Sequence, residues 1–293
     1  MVDIVFVVLH YLTTKDTVEC VKSIKDKCKK YNYKIVIVDN ASPNNSGEKL
    51  KEFYEKNANV DLILLNENIG FARGNNKGIE FARKKYSPNF IVVMNNDVNL
   101  LQDNTVELIE SEYEKSGFAV LGPMVYTADG RCNDNPGASI PITLEKLNLA
   151  IKNSKKYYFI CKWNLRSIYR LIEKIKSKVR REKGDEVEYN DYLNTKYNIQ
   201  LHGCFLCFSK EYFKQFNGFF SGTFLYLEED ILFYLTQKAK MKTVYLPDLK
   251  VYHKEDSSSK AAWKSNKKRE EIKARFIQQS AEAFRDYLEE NAK

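Results

Sequence analysis

Four polar positions stand where chemistry could be done. Phe90-Ile91-Val92-Val93-Met94 is an apolar run without alternation, and it ends abruptly in Asn95-Asn96-Asp97. Such a run reads as a strand covered on both faces, and ligands of open parallel sheets collect at the carboxyl ends of strands. Asp97 is then an acid held at that edge by a rigid element. Asp39 closes a second apolar run and opens Asp39-Asn40-Ala41-Ser42-Pro43. Glu228-Glu229-Asp230 lies among Tyr226, Leu227, Ile231 and Phe233; adjacent acids in such company are costly unless solvated, paired or used. A half-buried carboxylate there gains the basicity that a general base wants. His253, one of three histidines, ends Val251-Tyr252. Each has a purely structural alternative: an Asx turn at Asp39 or Asp97, an exposed helix start for the acids, a core histidine.

The elements that must position these residues alternate over the first hundred positions. Strands are expected at Val2–Leu9, Lys34–Val38, Leu62–Leu65 and Phe90–Met94, and helices at Asp16–Cys28, Gly47–Asn57 and Gly74–Lys85. That order predicts a parallel sheet with crossover helices. The third strand leads into Asn66-Glu67-Asn68-Ile69-Gly70-Phe71-Ala72-Arg73-Gly74-Asn75-Asn76, so three polar clusters share one sheet edge. Amides and carboxylates there suit ribose hydroxyls and base edges, while Arg73 and a helix start near Gly74 suit a diphosphate. Neither a G-x-x-x-x-G-K-[ST] loop nor a G-x-G-x-x-G fingerprint occurs. Beyond Asp97, a helix over Thr105–Lys115 has Asn104 as its cap and Gly117 as its stop. Strands follow at Phe118–Leu121, Gln200–Phe208 and Thr243–Leu246.

Composition excludes whole classes. With 43% hydrophobic and 29% charged residues in 293, the chain is neither disordered nor too small for a full core. The N-terminal apolar run is too short for a signal, and no segment reaches the roughly 18 apolar residues of a membrane span, so the expected location is the cytoplasm. Six cysteines do not make a disulfide scaffold. Cys204 and Cys207 are expected as buried thiols on opposite faces of one strand rather than zinc ligands. The net charge of +8 is local: Lys152–Lys183 holds twelve Lys or Arg against two Glu, +10, leaving −2 elsewhere. There Cys161, Leu165, Ile168, Ile172, Ile175 and Val179 form a helical stripe with Arg166, Arg170, Lys174, Lys178 and Arg181 between. The helix either packs on the body or lies on an anionic membrane.

Five stretches in order resemble the family 2 glycosyltransferases of the GT-A fold, particularly bacterial, rhamnosyltransferase-like enzymes of surface polysaccharide such as capsule or O-antigen. They are Val-Asp-Asn-Ala-Ser (38–42), Asn-Ile-Gly-Phe-Ala-Arg-Gly-Asn-Asn (68–76), Met-Asn-Asn-Asp-Val (94–98), Leu-Tyr-Leu-Glu-Glu-Asp-Ile (225–231) and Tyr-His-Lys-Glu-Asp-Ser (252–257). The resemblance implies an α/β, Rossmann-like, mostly parallel sheet flanked by helices. It implies that Asp39 and Asn40 contact the nucleotide, and that Asn68, Gly70, Arg73 and Asn75 form the donor loop. Asn95-Asn96-Asp97 stands for the D-x-D motif, Asn96 on the donor side and Asp97 holding a divalent Mg²⁺ or Mn²⁺ with His253. Glu229 is the implied base, with Glu228 and Asp230 as alternatives. The first acid of D-x-D is an amide here, and the arginine often found after the acidic motif is missing.

On this reading residues 1–255 are the catalytic domain, with 1–100 binding the nucleotide sugar and 101–255 the acceptor. A basic helical insertion is expected at about 144–198 and a helical tail at 256–293. The expected reaction is inverting transfer from a UDP- or dTDP-type donor to a saccharide, lipid-linked acceptor. Lys152–Lys183 would associate peripherally with the inner face of the plasma membrane, and nucleic acid is not an expected partner. The rivals are a nucleotidyltransferase acting on sugar phosphates and a non-catalytic module binding anionic surfaces or nucleic acid. The latter would leave three strand-end acids idle and lacks interleaved aromatics.

Overall fold

The computed structural model describes residues 2–132, 135–163, 165–166, 192–255, 261–263 and 265–291. Strand β1 (Ile4–His10) lies between β2 (Tyr33–Asp39) and β4 (Phe90–Asn95), both parallel to it, and β3 (Val60–Leu64) pairs parallel with β2. The connections are α1 (Thr14–Lys27), α2 (Ser46–Tyr54) and α3 (Phe71–Tyr86). The chain then adds β5 (Val98–Leu100), α4 (Thr105–Ser116), β6 (Val120–Thr127), α5 (Leu144–Lys162), β7 (Lys196–Tyr197) and β8 (Phe205–Ser209). It ends with α6 (Glu228–Lys238), β9 (Thr243–His253) and α7 (Asn266–Glu290). Sheet order is β3-β2-β1-β4-β8-β6-β9-β5, with β7 also on β9. Strands β8, β5 and β7 run antiparallel to their neighbours, and β6 pairs parallel with β9. The fold is the expected α/β class with a mostly parallel mixed sheet.

Strand parity sorts the core. Ile4, Phe6, Val8, Ile35, Ile37 and Val92 face α1, α2 and α4, packing on Cys20, Val21, Ile24, Leu50, Val106 and Ile109. Val5, Val7, Val36, Val38, Ile91 and Val93 face the other way, onto Ala72, Ile79 and Ala82 of α3. Burial of each such side chain stabilises by about 1.5–3 kcal/mol. Glycine permits the close seat of α3, because a Cβ at Gly78 would stand 2.3 Å from Val7 Cγ1. A third cluster joins Leu147 and Ile151 of α5, Ile231 and Leu235 of α6, and Ala281 and Phe284 of α7.

Several boundaries differ from the expectations. Helix α3 starts at Phe71, not near Gly74, because the Gly70 carbonyl already accepts from Gly74 N–H at 3.1 Å. Asn104 occupies the cap position of α4 without a capping bond; its side-chain oxygen accepts from Gln102 instead. Strand β8 begins only at Phe205, so Cys204 precedes it. Parity therefore does not separate Cys204 from Cys207, and both free thiols are buried in one cluster. The stripe Ile168–Val179 and the bases Arg170, Lys174, Lys178 and Arg181 lie outside the described residues. Arg166 does not join an open basic face: its guanidinium donates to Glu270 of α7 at 2.6 Å.

Candidate active site

Strand β5, absent from the sequence reading, assembles the site. It pairs antiparallel with the end of β9 so that Val98 faces His253, and the Lys254 N–H donates to the Asp97 carbonyl at 3.1 Å. Asp97 Oδ1 then lies 3.2 Å from His253 Nε2, both side chains nearly buried. Lys254 locks this strand end to α1 through Asp16 at 2.8 Å and through Glu19. Two donors 3.2 Å apart match adjacent corners of an octahedron with bonds of about 2.1 Å, whose edge is about 3 Å. Among the described residues no third His, Cys, Asp or Glu joins them in a metal-binding group. A hard oxygen and an imidazole are a donor pair that would hold a divalent ion.

The pair opens onto a cavity of about 350 Å³ at the carboxyl ends of β1 and β4. Leu9, Tyr11, Phe71, Phe224, Trp263 and Phe276 give it apolar and aromatic walls; Asn40, Asn68, Asn95 and Asn96 give it amides. Of the sequence-derived donor residues, Asn40, Asn68, Gly70 and Asn96 line it, whereas Asp39, Arg73 and Asn75 do not. Asn40 braces the donor loop, donating to the Gly70 carbonyl (3.1 Å) and accepting from Ile69 N–H (3.0 Å). Asn68 accepts from Gly70 N–H. Gly70 has φ +86°, and a Cβ there would meet the Phe224 carbonyl at 2.3 Å, so only glycine fits. That carbonyl also takes the Phe71 N–H at 2.7 Å, using one of the free donors of the α3 N-terminus. Arg73 is exposed, and Asn75 lies on the buried face of α3 with its amide donating to Phe71 O.

Asp39 is nearly buried and accepts from Ser42 through both N–H and hydroxyl, the latter at 2.6 Å. Behind it lies a histidine that the sequence reading did not single out. His10, fully buried at the end of β1, bonds Thr17 Oγ1 (2.6 Å) and Ser46 Oγ (2.8 Å), with Asp39 Oδ1 at 3.8 Å. Burial pulls its pKa down to about 4 against the opposing pull of Asp39, so the ring is neutral. Thr17 in turn accepts from Asn96 at 2.9 Å. One buried network thus connects the end of β2 to the residue beside Asp97.

The acids form the first turn of α6 but are not an exposed helix start. Two consecutive left-handed residues, Tyr226 (φ +73°) and Leu227 (φ +69°), lead into them. Side chains of this bulk avoid that region at a cost of roughly 1–2 kcal/mol each, so the surrounding packing over-determines the turn. Glu228 is 7% exposed, and its Oε1 has no hydrogen-bond partner among the described residues. Burial first and the Glu229 charge second push its pKa up to about 7. Burial likewise raises Asp230, with Glu229 adding to the effect. Glu229 is half-buried and accepts the Gly203 N–H at 3.0 Å. Next to Gly203, the ring of His202 lies 5.8 Å from that of His253, which places the acids on the Asp97–His253 side of the molecule.

Comparison with known proteins gives this arrangement its context. The glycosyl transferase family 2 model matches residues 6–207. Glycosyltransferase GlyG of Streptococcus pneumoniae serotype 4 is 32% identical over 117 residues, covering 40% of this chain and 37% of GlyG. Among solved structures, S. aureus TarS 1-349 aligns with a TM-score of 0.50 at 14% identity, covering 88% of this chain and 62% of that one. GalNAc-T7 with UDP, GalNAc and Mn²⁺ aligns with a TM-score of 0.57 at 14% identity, covering 86% and 44%. At such identities the two structures speak for the fold, which is that of GT-A enzymes. With the family model matched over well more than half of its length, the chain belongs to glycosyl transferase family 2.

Proposed function

We propose that the protein transfers a sugar from a nucleotide-diphosphate donor, of UDP or dTDP type, to a hydroxyl of a saccharide acceptor with inversion at the anomeric carbon. The observation that carries this reading is the Asp97–His253 pair at the mouth of an aromatic and amide-lined cavity at the sheet's carboxyl edge. Asn40, Asn68 and the aromatic walls would seat the nucleotide, with Asp39 and its His10 network shaping the adjoining turn. Asp97 and His253 would hold a Mg²⁺ or Mn²⁺, which when bound supplies Lewis-acid neutralisation of the leaving diphosphate. GalNAc-T7 was crystallised with UDP and Mn²⁺, and a TarS 1-349 structure holds UDP; both support that choice of ligands.

Glu229 is assigned as the base that takes the acceptor proton. Glu228 is too deeply buried to reach an acceptor, whereas Glu229 is half-buried with its carboxylate oriented by Gly203 N–H. One base and one displacement give inversion. Residues 1–100 supply Asn40, Asn68 and Asp97 to the donor site, whereas 101–255 supply both Phe224 and His253 to that site and Glu229 for the acceptor; α7 adds Phe276 to the donor cavity and packs on α5 and α6. The acceptor is assigned as lipid-linked, in surface polysaccharide synthesis, with the basic segment against an anionic membrane. Supporting that, α5 and its end expose Leu149, Phe159 and Trp163, and Lys152 is exposed on the same helix, a mixture suited to headgroups. No helix among the described residues is long and apolar enough to cross a membrane.

The test is Glu229→Gln, which preserves size and the bond to Gly203 but cannot accept a proton. Turnover should fall by a factor of about 10² to 10⁴ while donor affinity and melting temperature stay put. Near-normal turnover in this variant would remove Glu229 from the base role.

A further inference from the structure

A second cavity, of about 1070 Å³, shares no lining residue with the donor cavity. Its walls are the last turns of α3, the segment that follows β8, and Tyr287 of α7. Phe71 lines the donor cavity and Arg83 lines this one, about 18 Å apart along the axis of α3. The wall is fixed where it meets that helix. Asn76 donates to the Phe219 carbonyl at 2.8 Å and accepts the Phe219 N–H at 2.7 Å. The Tyr212 hydroxyl donates to the Gly218 carbonyl at 2.9 Å. Gly218 has φ +148°, and a Cβ there would stand 2.2 Å from the Asn76 amide oxygen, so the segment closes on α3 only with glycine.

Arg83 sets the chemistry of the space. Its guanidinium lies over the Phe213 ring, 4.7 Å from the centroid, and Nη1 donates to Asn217 Oδ1 at 3.0 Å. Ring and amide hold the fork in place yet neutralise none of its charge. No carboxylate comes within ion-pair distance of it among the described residues. Its neighbours on α3 are spent on acids instead, Lys84 on Glu80 at 2.6 Å and Lys85 on Asp61 at 2.7 Å. A stacked, half-buried arginine with donors to spare is pre-organised for a carboxylate or phosphate. Lys210 and Lys214 add to the positive sign of the lining, whose one acid is Glu80. Phe216, Phe220 and Tyr287 give the cavity partly exposed rings, and Gln215 and Ser221 give it an amide and a hydroxyl. Rings take the C–H faces of a pyranose, amide and hydroxyl take its oxygens, and the guanidinium takes an acidic substituent. A neutral sugar would leave Arg83 unanswered, and an acyl chain would leave the polar groups so.

We propose that this cavity is a second carbohydrate site, separate from the donor cavity, that binds a saccharide bearing a carboxylate or a phosphate through Arg83. The choice of a saccharide rests on the transferase reading, whereas the anion contact rests on Arg83. Binding is read without turnover, so the outcome is independent of the Glu229 test. Calorimetry titrates tetragalacturonate, glucose 1-phosphate, neutral maltotetraose and inorganic phosphate into the full chain, without and with excess UDP and Mn²⁺. At least one anionic saccharide should bind, with maltotetraose and inorganic phosphate each weaker by about tenfold or more. Arg83→Gln should weaken that saccharide by about tenfold or more, and Lys210→Gln, at an exposed position, by about two- to fivefold. UDP affinity and melting temperature should stay as in wild type. Should Arg83→Gln not fold, Lys210→Gln still reads the charge. Equal binding of neutral and anionic saccharides, phosphate alone binding as tightly, displacement by UDP, unchanged affinity in the folded variants, or no anionic saccharide bound at about millimolar concentration would each overturn the proposal. A chain that takes an anionic saccharide here but no nucleotide would sink the transferase reading and leave this site standing.

Discussion

Glu228→Gln should make the protein more stable, by a margin that grows as pH rises above 4.5 and levels off above about pH 7. Glu228 is 7% exposed with an unpartnered Oε1 among the described residues, and its pKa is raised from 4.5 to about 7. Between those values the native state holds a proton that the unfolded chain has released. Stability from this group is thus greatest below pH 4.5 and declines as pH rises through 7. A displacement from 4.5 to about 7 corresponds to a ceiling of about 3 kcal/mol at 1.36 kcal/mol per pH unit. Glutamine never ionises, so the variant escapes that decline. At pH 8 it should gain about 1–3 kcal/mol over wild type, or roughly 2–4 °C per kcal/mol in melting temperature; at pH 4.5 it should gain little or nothing. Urea unfolding of both proteins at the two pH values reads this directly, because other titrating groups cancel in the difference. A variant that is less stable at pH 8 by as much as at pH 4.5 would mean that Glu228 is ionised and paired in the native state, and the reasoning would fail.

Two further outcomes are expected. Neutral His10 contributes stability that is fully present above pH 6.5 and lost as pH falls toward 4, amounting to about 3 kcal/mol; His10→Gln should therefore cost less at pH 4.5 than at pH 7.5, and an equal cost at both would exclude a buried neutral ring. Combined Phe159→Ser, Trp163→Ser and Lys152→Gln should reduce sedimentation with phosphatidylglycerol vesicles more than tenfold, at about 1 kcal/mol for the charge plus the aromatic contacts; wild type that never sediments with such vesicles would rule out the membrane role.

What the sequence carried legibly was local. Runs such as Phe90–Met94 and Lys34–Val38 announce buried parallel strands because both faces are covered, and their polar ends mark the sheet edge where Asp39 and Asp97 stand. His253 at the end of Val251-Tyr252 was readable for the same reason. What brings Asp97 to His253 was not, since β5 is three residues long and is made by pairing with β9, about 150 residues away. The aromatic walls share that difficulty: Phe71, Phe224 and Phe276 come from separate elements, and Phe224 stacks on Phe276 at 4.8 Å only after α7 has docked. His10 gave no signal because its place in the buried network depends on partners distant in sequence, such as Ser46. Helix α3 starts three residues before Gly74 because the positive φ of Gly70 and its contact with Phe224, neither visible in the sequence, make Gly70 the boundary.

The central claim is that Asp97 and His253 form the divalent-metal end of a nucleotide-sugar site. Its most direct test is calorimetric titration of UDP and dTDP into wild type and Asp97→Asn, each with Mn²⁺ and with EDTA. The account predicts that Mn²⁺ strengthens nucleotide binding to wild type by tenfold or more, since a charge-assisted contact contributes about 1.5–3 kcal/mol, and that Asp97→Asn abolishes this gain while leaving binding in EDTA unchanged. Equal Mn²⁺ enhancement in the two proteins, or nucleotide affinity indifferent to Mn²⁺ in wild type, would contradict it.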